Sequence, residues 1–248
     1  MTTKQKKLIM TSIVFSAIFG LTPTVQAMHI MEGALPAKYC IAWGILSLPF
    51  LITGFFSIQN TLRINRRGVT LLALSGAFVF VISSLKIPSV SGSCSHMTGT
   101  GLGAILFGPT AVSILGLIVL IFQAILLAHG GLTTLGANTF SMAIAGPFVS
   151  YGLFMLCKKL KLNRKVSIFL ATFFGDLFTY CVTAFQLALA HNSATSFGIA
   201  LKENLIIFAG TQLPLAIVEG ILTVIIVIGL ESYAKPELKA IGFLKGGN

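Results

Sequence analysis

Charged residues are scarce in this sequence, and several motifs of soluble enzymes are missing from it. Only 9% of its 248 residues are charged, and only six are acidic. No lysine follows a glycine anywhere, which excludes a P-loop for nucleotide binding, and no HExxH motif of a zinc enzyme is present. The four cysteines form no CxxC pair, so neither a disulfide framework nor a thiolate zinc site is supported. The scarcity of acidic groups also disfavours a membrane-embedded metalloenzyme.

Hydrophobic residues make up 55% of the chain and are concentrated in long runs. A helix needs roughly 20 apolar residues to cross the hydrocarbon core of a bilayer, where it satisfies its own backbone hydrogen bonds. Such runs are found at about residues 37–58, 68–87, 109–128, 138–157, 166–190 and 204–230. The composition therefore predicts an all-α integral membrane protein.

The N-terminal residues have the pattern of a secretory signal peptide. Three lysines precede a short apolar run over residues 8–21, and Val25 and Ala27 provide the small residues that signal peptidase accepts. We predict cleavage after Ala27, which divides the chain into a signal peptide (1–27) and a single membrane-embedded domain (28–248). The alternative is an uncleaved anchor helix, but the apolar run is short for a complete span.

The net charge of +11 is explained by topology rather than by nucleic-acid binding. Basic clusters around residues 63–67, 158–165 and 235–245 separate or follow apolar runs, and the positive-inside rule predicts that all three are cytoplasmic. Six spans cannot place all of them on one side. The segment 99–109 is the candidate for a further, short span buried in protein. We therefore predict a bundle of seven transmembrane helices, with the mature N-terminus outside and the C-terminus cytoplasmic; a re-entrant segment is the alternative.

A mature chain that begins with Met28 and His29 has a metal-chelating terminus. The α-amine of Met28, the amide nitrogen of His29 and the imidazole of His29 can bind one ion through fused chelate rings. Such rings hold nitrogen donors close to a plane, which favours Cu(II) and Ni(II) and allows low-spin Co(II). The chelate requires a free amine, so it depends on cleavage directly before Met28. The alternative is a histidine that lies at a wet interface by coincidence.

The predicted topology brings all four histidines to the outer face or near it. His96 lies in a loop rich in Gly, Ser and Thr, whose glycines permit close approach to a ligand, so it can supply a fourth nitrogen. An ordinary loop histidine is the alternative. His129, Glu32 and Ser95 are candidates for supporting the ligands or lining the entry path. His191 is expected to be a solvated interface residue.

Two acidic residues fall near the middle of predicted spans, where an ionisable group is costly and is usually functional or paired. Asp176 and Glu219 either hydrogen-bond within the bundle or carry ions. On another predicted helix, Ala73 and Ala77 form a small-x-x-x-small pattern that permits close approach of a second helix. That second helix belongs either to the bundle or to a partner protein.

Three stretches carry a resemblance to a known family: "MHIMEGALP", "SCSHMTGTGLGAILFGPTAVSILGLIVLIFQAILLAHGGLTTLGANTFSMA" and "FFGDLFTYCVTAFQLALA". The chain resembles the CbiM/NikM-type substrate-capture component of energy-coupling-factor (ECF) cobalt and nickel transporters, and "MHIME" is closer to the cobalt branch. The resemblance implies seven spans and near-planar binding of Co(II) or Ni(II) by Met28, His29 and His96. It also implies docking of a coupling protein on the surface around Ala73 and Ala77.

The function implied by the resemblance is that of a non-catalytic subunit in the cell membrane, which captures the ion at the outer face for an ATP-driven importer. The implied partners are a membrane coupling (T) protein, two ATPase (A) subunits that hydrolyse ATP, a small accessory transmembrane subunit, and membrane lipid. The ion is substrate, no organic cofactor or nucleic acid is expected, and imported cobalt would supply cobalamin biosynthesis. The alternative is a stand-alone proton-coupled secondary permease for divalent metals that uses Asp176 and Glu219.

Overall fold

The computed structural model describes residues 29–64, 66, 68–88, 94–191 and 196–244. The predicted signal peptide and Met28 lie outside these residues. The first part of the chain contains helices α1 (Ala37–Ile64) and α2 (Gly68–Ser84), the short antiparallel strands β1 (Ile87–Pro88) and β2 (Cys94–Ser95), and helices α3 (Thr100–Phe107) and α4 (Pro109–Leu127). The second part contains α5 (Leu135–Asn138), a π-helical segment (Thr139–Ala145), α6 (Gly146–Lys159), α7 (Arg164–Ala190), α8 (Phe197–Tyr233) and α9 (Lys235–Ala240).

Five helical stretches of the described chain are long and apolar enough to cross a membrane. They are Ala37–Arg63, Pro109–Leu127, Leu135–Lys159, Arg164–Ala190 and Phe197–Tyr233, and α2 is a shorter apolar helix. Large apolar side chains on these helices point away from the protein, and Ile45, Phe122 and Ile225 are each more than half exposed. Such a surface is stable against lipid tails, which are as apolar as the side chains themselves. The prediction of an all-α membrane protein is confirmed at this level.

The short helix α3 follows the loop that carries His96. It starts four residues after His96, and Phe107 at its other end lines a cavity together with Lys158 and Arg164. Its eight residues give a length of about 12 Å, well short of a hydrocarbon core of about 30 Å. Seven of its residues are buried, as expected for a helix surrounded by protein. That this segment completes a seventh crossing stays a prediction.

Several helices extend beyond the apolar runs that indicate them. Helix α8 is 37 residues long and starts at Phe197, before the charged pair Lys202 and Glu203, although its apolar run begins only at about residue 204. The helix that the apolar run indicates from about residue 138 begins at Leu135 in the structure. It starts as α5 and continues through the π-helical segment into α6. Counting apolar residues finds the part of a helix that suits hydrocarbon, and it misses polar turns beyond that part.

Close helix packing depends on glycines that face backbone rather than flexible side chains. A Cβ added at Gly116 of α4 would lie 2.5 Å from the Cβ of Ala143 and 3.2 Å from its Cα. Because lipid-embedded helices gain no hydrophobic effect from association, close contact of this kind is one of the interactions that hold them together. The π-helical segment therefore packs directly on α4 at Gly116.

We expect Gly116→Ala to destabilise the protein, because the added methyl group has no room beside Ala143. Overpacking of this kind costs about 1–3 kcal/mol, so the unfolding midpoint in detergent should fall measurably. Gly152→Ala is the matched control, since a Cβ at that helical position meets nothing within 4 Å. Equal unfolding midpoints for the two variants would contradict the packing described here.

Candidate metal centre

Three histidines that are far apart in the sequence meet at one end of the bundle. His29, His96 and His129 are each at most 2% exposed, and one ring nitrogen from each lies within 4.8 Å of the others. The Nδ1 atom of His29 lies 2.7 Å from Nε2 of His96 and 2.7 Å from Nε2 of His129. The ring planes of His29 and His96 are nearly parallel, at 20°, whereas the ring of His129 is inclined at 72° to that of His29. Of the four histidines that the sequence analysis expected near one face, His29, His96 and His129 lie together in the structure.

The first described residues form an N-terminal plug (residues 29–35) that is fixed by hydrogen bonds to Thr134 and Asn138, at the two ends of α5. The backbone N–H of Ile30 donates to Oδ1 of Asn138 over 2.8 Å. The carbonyl of Ile30 accepts from Nδ2 of Asn138 at 3.0 Å and from the hydroxyl of Thr134 at 2.6 Å. Both polar groups of this buried residue are therefore satisfied, and His29 next to it is held in place.

Two glycines after His129 make room for the plug. A Cβ at Gly130 would lie 3.2 Å from the Cβ of His29, and one at Gly131 would lie 2.6 Å from the Cα of Glu32. Gly130 also has a φ of +79°, a conformation that other residues adopt only under strain. The "HGG" sequence therefore combines a histidine with the space that the plug needs beside it.

The loop that carries His96 is held through its backbone by α7 and α8. The hydroxyl of Tyr180 donates to the His96 carbonyl over 2.6 Å, and Nε2 of Gln212 donates to the same carbonyl over 3.3 Å. The carboxyl groups of Asp176 and Glu219 lie beneath the loop and accept hydrogen bonds from Thr98. Hydrogen bonding within the bundle, one of the two predicted roles of these acidic residues, is thus observed.

The hydrogen bonds among the imidazoles leave lone pairs facing one another. Nδ1 of His96 lies 2.8 Å from the carbonyl of Met97, which can only accept, so the neutral ring carries its hydrogen there and Nε2 presents a lone pair. One hydrogen on Nδ1 of His29 cannot point fully at both neighbouring Nε2 atoms. Nε2 of His29 and Nδ1 of His129 are buried without a hydrogen-bond partner among the described residues.

A metal cation satisfies this arrangement better than hydrogen atoms do. Bonds of about 2.0 Å from a metal to imidazole nitrogens place neighbouring nitrogens of a square about 2.8 Å apart. The 2.7 Å distance between Nδ1 of His29 and Nε2 of His96 is close to that value. The three imidazoles therefore have the donor type, the direction and nearly the spacing of a nitrogen-ligated metal centre.

Burial lowers the pKa of all three imidazoles, because the charged form loses its hydration. The pKa of His96 falls to about 4 and that of His129 to about 2. The pKa of His29 also falls well below its ordinary value, through burial first and through the neighbouring imidazoles second. All three rings are therefore neutral at physiological pH, which is the form that binds metal.

The other candidate residues lie at different distances from the centre. The Ser95 hydroxyl is hydrogen-bonded to that of Thr211 over 2.7 Å, so it anchors the loop to α8. Glu32 is exposed, and hydrogen bonds from Thr133 lower its pKa and help to hold the plug. His191 is exposed and lies outside the cluster, as expected. Sequence reasoning missed residues that hold the cluster, among them Thr98, Thr134, Asn138 and Tyr180.

Ala73 and Ala77 of α2 are both exposed, so the bundle itself does not use this pair for internal packing. Gly76 between them faces α4, where an added Cβ would lie 3.1 Å from Leu115. The alternative of internal packing therefore applies to Gly76 rather than to the two alanines. Cys40, Cys157 and Cys181 are free, so no disulfide joins the cysteines whose side chains the structure describes.

Comparison with known proteins gives one consistent result. The family described as CbiM, cobalt uptake substrate-specific transmembrane region, matches residues 29–238. The cobalt transport protein CbiM of Lachnoclostridium phytofermentans is 66% identical over 248 residues, which is 100% of this chain and 99% of the relative. That of Ruminiclostridium cellulolyticum is 55% identical over 230 residues, 92% and 93% of the two chains. A crystal structure of a truncated transition metal transporter has a TM-score of 0.73 at 30% identity and covers 83% of this chain and 99% of that one.

We expect the metal-free protein to lose stability as the pH falls from about 6.5 toward 4, because the unfolded chain binds protons that the folded imidazoles do not. Each such histidine contributes up to about 1.4 kcal/mol per pH unit. His129→Asn should therefore reduce the dependence of the unfolding midpoint on pH. The exposed His191 gives the control variant His191→Asn, which should keep the dependence of the unmodified protein; the same curve for all three proteins would refute the assignment.

Proposed function

The chain belongs to the CbiM family of cobalt uptake membrane proteins, and we propose that it is the metal-capture subunit of an ATP-driven ECF-type importer. It binds Co(II), or the chemically similar Ni(II), at the outer face of the cell membrane, and partner subunits drive its release inside. The ion is substrate, and imported cobalt supplies cobalamin biosynthesis. Three buried, neutral imidazoles meet beside His29, which would be the second residue of the chain after cleavage at Ala27. This is the observation that carries the proposal.

The proposed ligands are the α-amine of Met28, the amide nitrogen and Nδ1 of His29, and Nε2 of His96. Nδ1 is the ring nitrogen that closes a six-membered chelate ring with the amide of the same residue, and it is also the atom that faces His96. His96 then takes the remaining position of the plane. A planar nitrogen set suits Ni(II) and low-spin Co(II), and the family assignment favours cobalt.

His129 lies beside the proposed ligands and is assigned a supporting role. Its Nε2 atom lies as close to Nδ1 of His29 as His96 does, at 2.7 Å. Within the proposed site it lies at the edge of the plane, where its Nε2 lone pair guides the incoming ion toward Nδ1 of His29. Glu32 and Ser95 act further out, Glu32 by fixing the plug and Ser95 by anchoring the loop.

The proposed partners are a membrane coupling (T) protein, two ATPase (A) subunits and a small accessory transmembrane subunit. The chain contains no P-loop, so hydrolysis of ATP is assigned to separate chains. The exposed small residues Ala73 and Ala77 offer a surface to which a helix of the coupling protein can approach closely. In the proposed topology the mature N-terminus lies outside and the basic clusters lie in the cytoplasm.

Loss of either proposed histidine ligand should abolish stable metal binding. Native mass spectrometry of the protein purified from membranes should show a chain that starts at Met28 and retains one cobalt or nickel ion. His29→Ala and His96→Ala should each weaken binding more than about 100-fold and lose the ion, whereas the exposed His191→Ala should retain it. A chain that starts at Met1, or a mature chain that stays metal-free after incubation with both ions, would rule out the proposed chelate.

The alternative function, a proton-coupled permease, makes an opposite prediction for transport by the isolated protein. Vesicles that contain this chain alone should bind cobalt but not accumulate it when a pH gradient is applied. Accumulation should require the coupling protein, the ATPase subunits and ATP. Accumulation by the chain alone, if it is abolished in Glu219→Gln, would favour the permease, since that variant cannot carry a proton as a carboxylate does.

A further inference from the structure

The backbone at Thr98, two residues beyond His96, is held by two carboxyl groups from different helices. Its N–H donates to Oε2 of Glu219 over 2.6 Å and to Oδ1 of Asp176 over 3.2 Å. Its hydroxyl donates to Oε1 and Oε2 of Glu219 at 3.1 and 3.2 Å. All of these groups are at most 1% exposed, so water does not replace the contacts.

The fourth carboxylate oxygen is also engaged. Nε2 of Gln212 donates to Oδ2 of Asp176, and the same amide donates to the carbonyl of His96. Each oxygen of the two carboxyl groups therefore lies within hydrogen-bonding distance of the loop or of a side chain that itself holds the loop. Both carboxyl groups are thus tied directly or through Gln212 to the backbone of the loop that carries His96.

We propose that Asp176 and Glu219 are positioning residues of the metal centre, which set the location of His96 by holding the backbone of Thr98. The inference rests on the proposed metal site, in which His96 supplies the fourth nitrogen. It gives the two intramembrane acidic residues a role in binding the substrate, and it requires no proton or ion movement at either of them.

The position of the loop matters because metal geometry tolerates little error. Ligands must be held within about 0.5 Å of the productive arrangement by groups that are themselves fixed. His96 has only one residue between it and Thr98, so a shift of the Thr98 backbone reaches the imidazole directly. Tyr180 and Gln212 hold the carbonyl of His96, and the Tyr180 hydroxyl also accepts from the His96 N–H over 3.1 Å. The two carboxyl groups hold the N–H of Thr98, so the loop is fixed at the ligand and two residues beyond it.

The decisive comparison is between Glu219→Ala and Glu219→Gln in the full-length, processed protein. The Gln carbonyl still accepts from the Thr98 N–H, and its amide can donate to the Thr98 hydroxyl, so this neutral variant keeps the hold on the loop. We expect its cobalt affinity, measured by equilibrium dialysis, and its visible cobalt spectrum to match those of the unmodified protein. Glu219→Ala should weaken cobalt binding by about 10- to 100-fold and shift the spectrum.

Two further variants complete the experiment. Asp176→Asn turns one of two accepting oxygens into a donor that faces Thr98 or Gln212, so it should weaken binding and shift the spectrum although its shape is unchanged. Glu203→Ala is the matched control, because Glu203 is an exposed glutamate on the same helix as Glu219; it should change neither the affinity nor the spectrum.

The outcomes separate this inference from the proposed function. If the unmodified protein does not bind cobalt, the proposed metal site itself is wrong. If it binds cobalt and Glu219→Gln loses the ion, the negative charge is required and the positioning role is refuted. Unchanged affinity and spectrum in Glu219→Ala also refute it. If Glu219→Ala does not fold, the Glu219→Gln and Asp176→Asn spectra still decide, since a positioning role requires the first to match the unmodified protein and the second to differ.

Discussion

The burial of three uncharged imidazoles away from water is the constraint on which the outer part of this protein depends. An imidazole that has lost its hydration needs partners for both nitrogens, and the described residues provide them only in part. Nδ1 of His29 is shared between two neighbours, and two ring nitrogens have no partner. The cluster is thus poorly satisfied as a set of hydrogen bonds, and its nitrogen atoms have the spacing that the proposed metal ion requires.

Such a cluster can exist only if the backbone around it is satisfied independently of the metal. The plug is paired with Asn138 and Thr134, and the loop is held by polar side chains of α7 and α8. The tyrosine and the glutamine that hold the loop lie on helices whose other side chains face outward, so the same helices serve the site and the lipid-facing surface. The preorganised ligands need to move little when the ion arrives, which is the usual origin of tight binding.

The sequence indicated the parts of the site that depend on local chemistry. The position of His29 after a predicted cleavage signal, and of His96 in a glycine-rich loop, indicated two candidate ligands, and the family resemblance implied that they meet. Asn138 and Thr98 were not found, because a polar residue at a helix end or in a loop has many ordinary roles and its partner lies about 100 residues away. The apolar runs located the helices but not their polar ends, and they gave no sign of the π-helical segment that follows Asn138.

The N-terminal plug has a consequence for the time that an ion stays bound. The three imidazoles are at most 2% exposed, so an ion among them has no open route to water on the side of the plug. Its departure requires the hydrogen bonds of Ile30 to Asn138 and Thr134 to break together. Because the plug itself carries His29, opening it would also break the proposed metal–nitrogen bonds of that residue, so a bound ion would hold the plug closed and the plug would hold the ion.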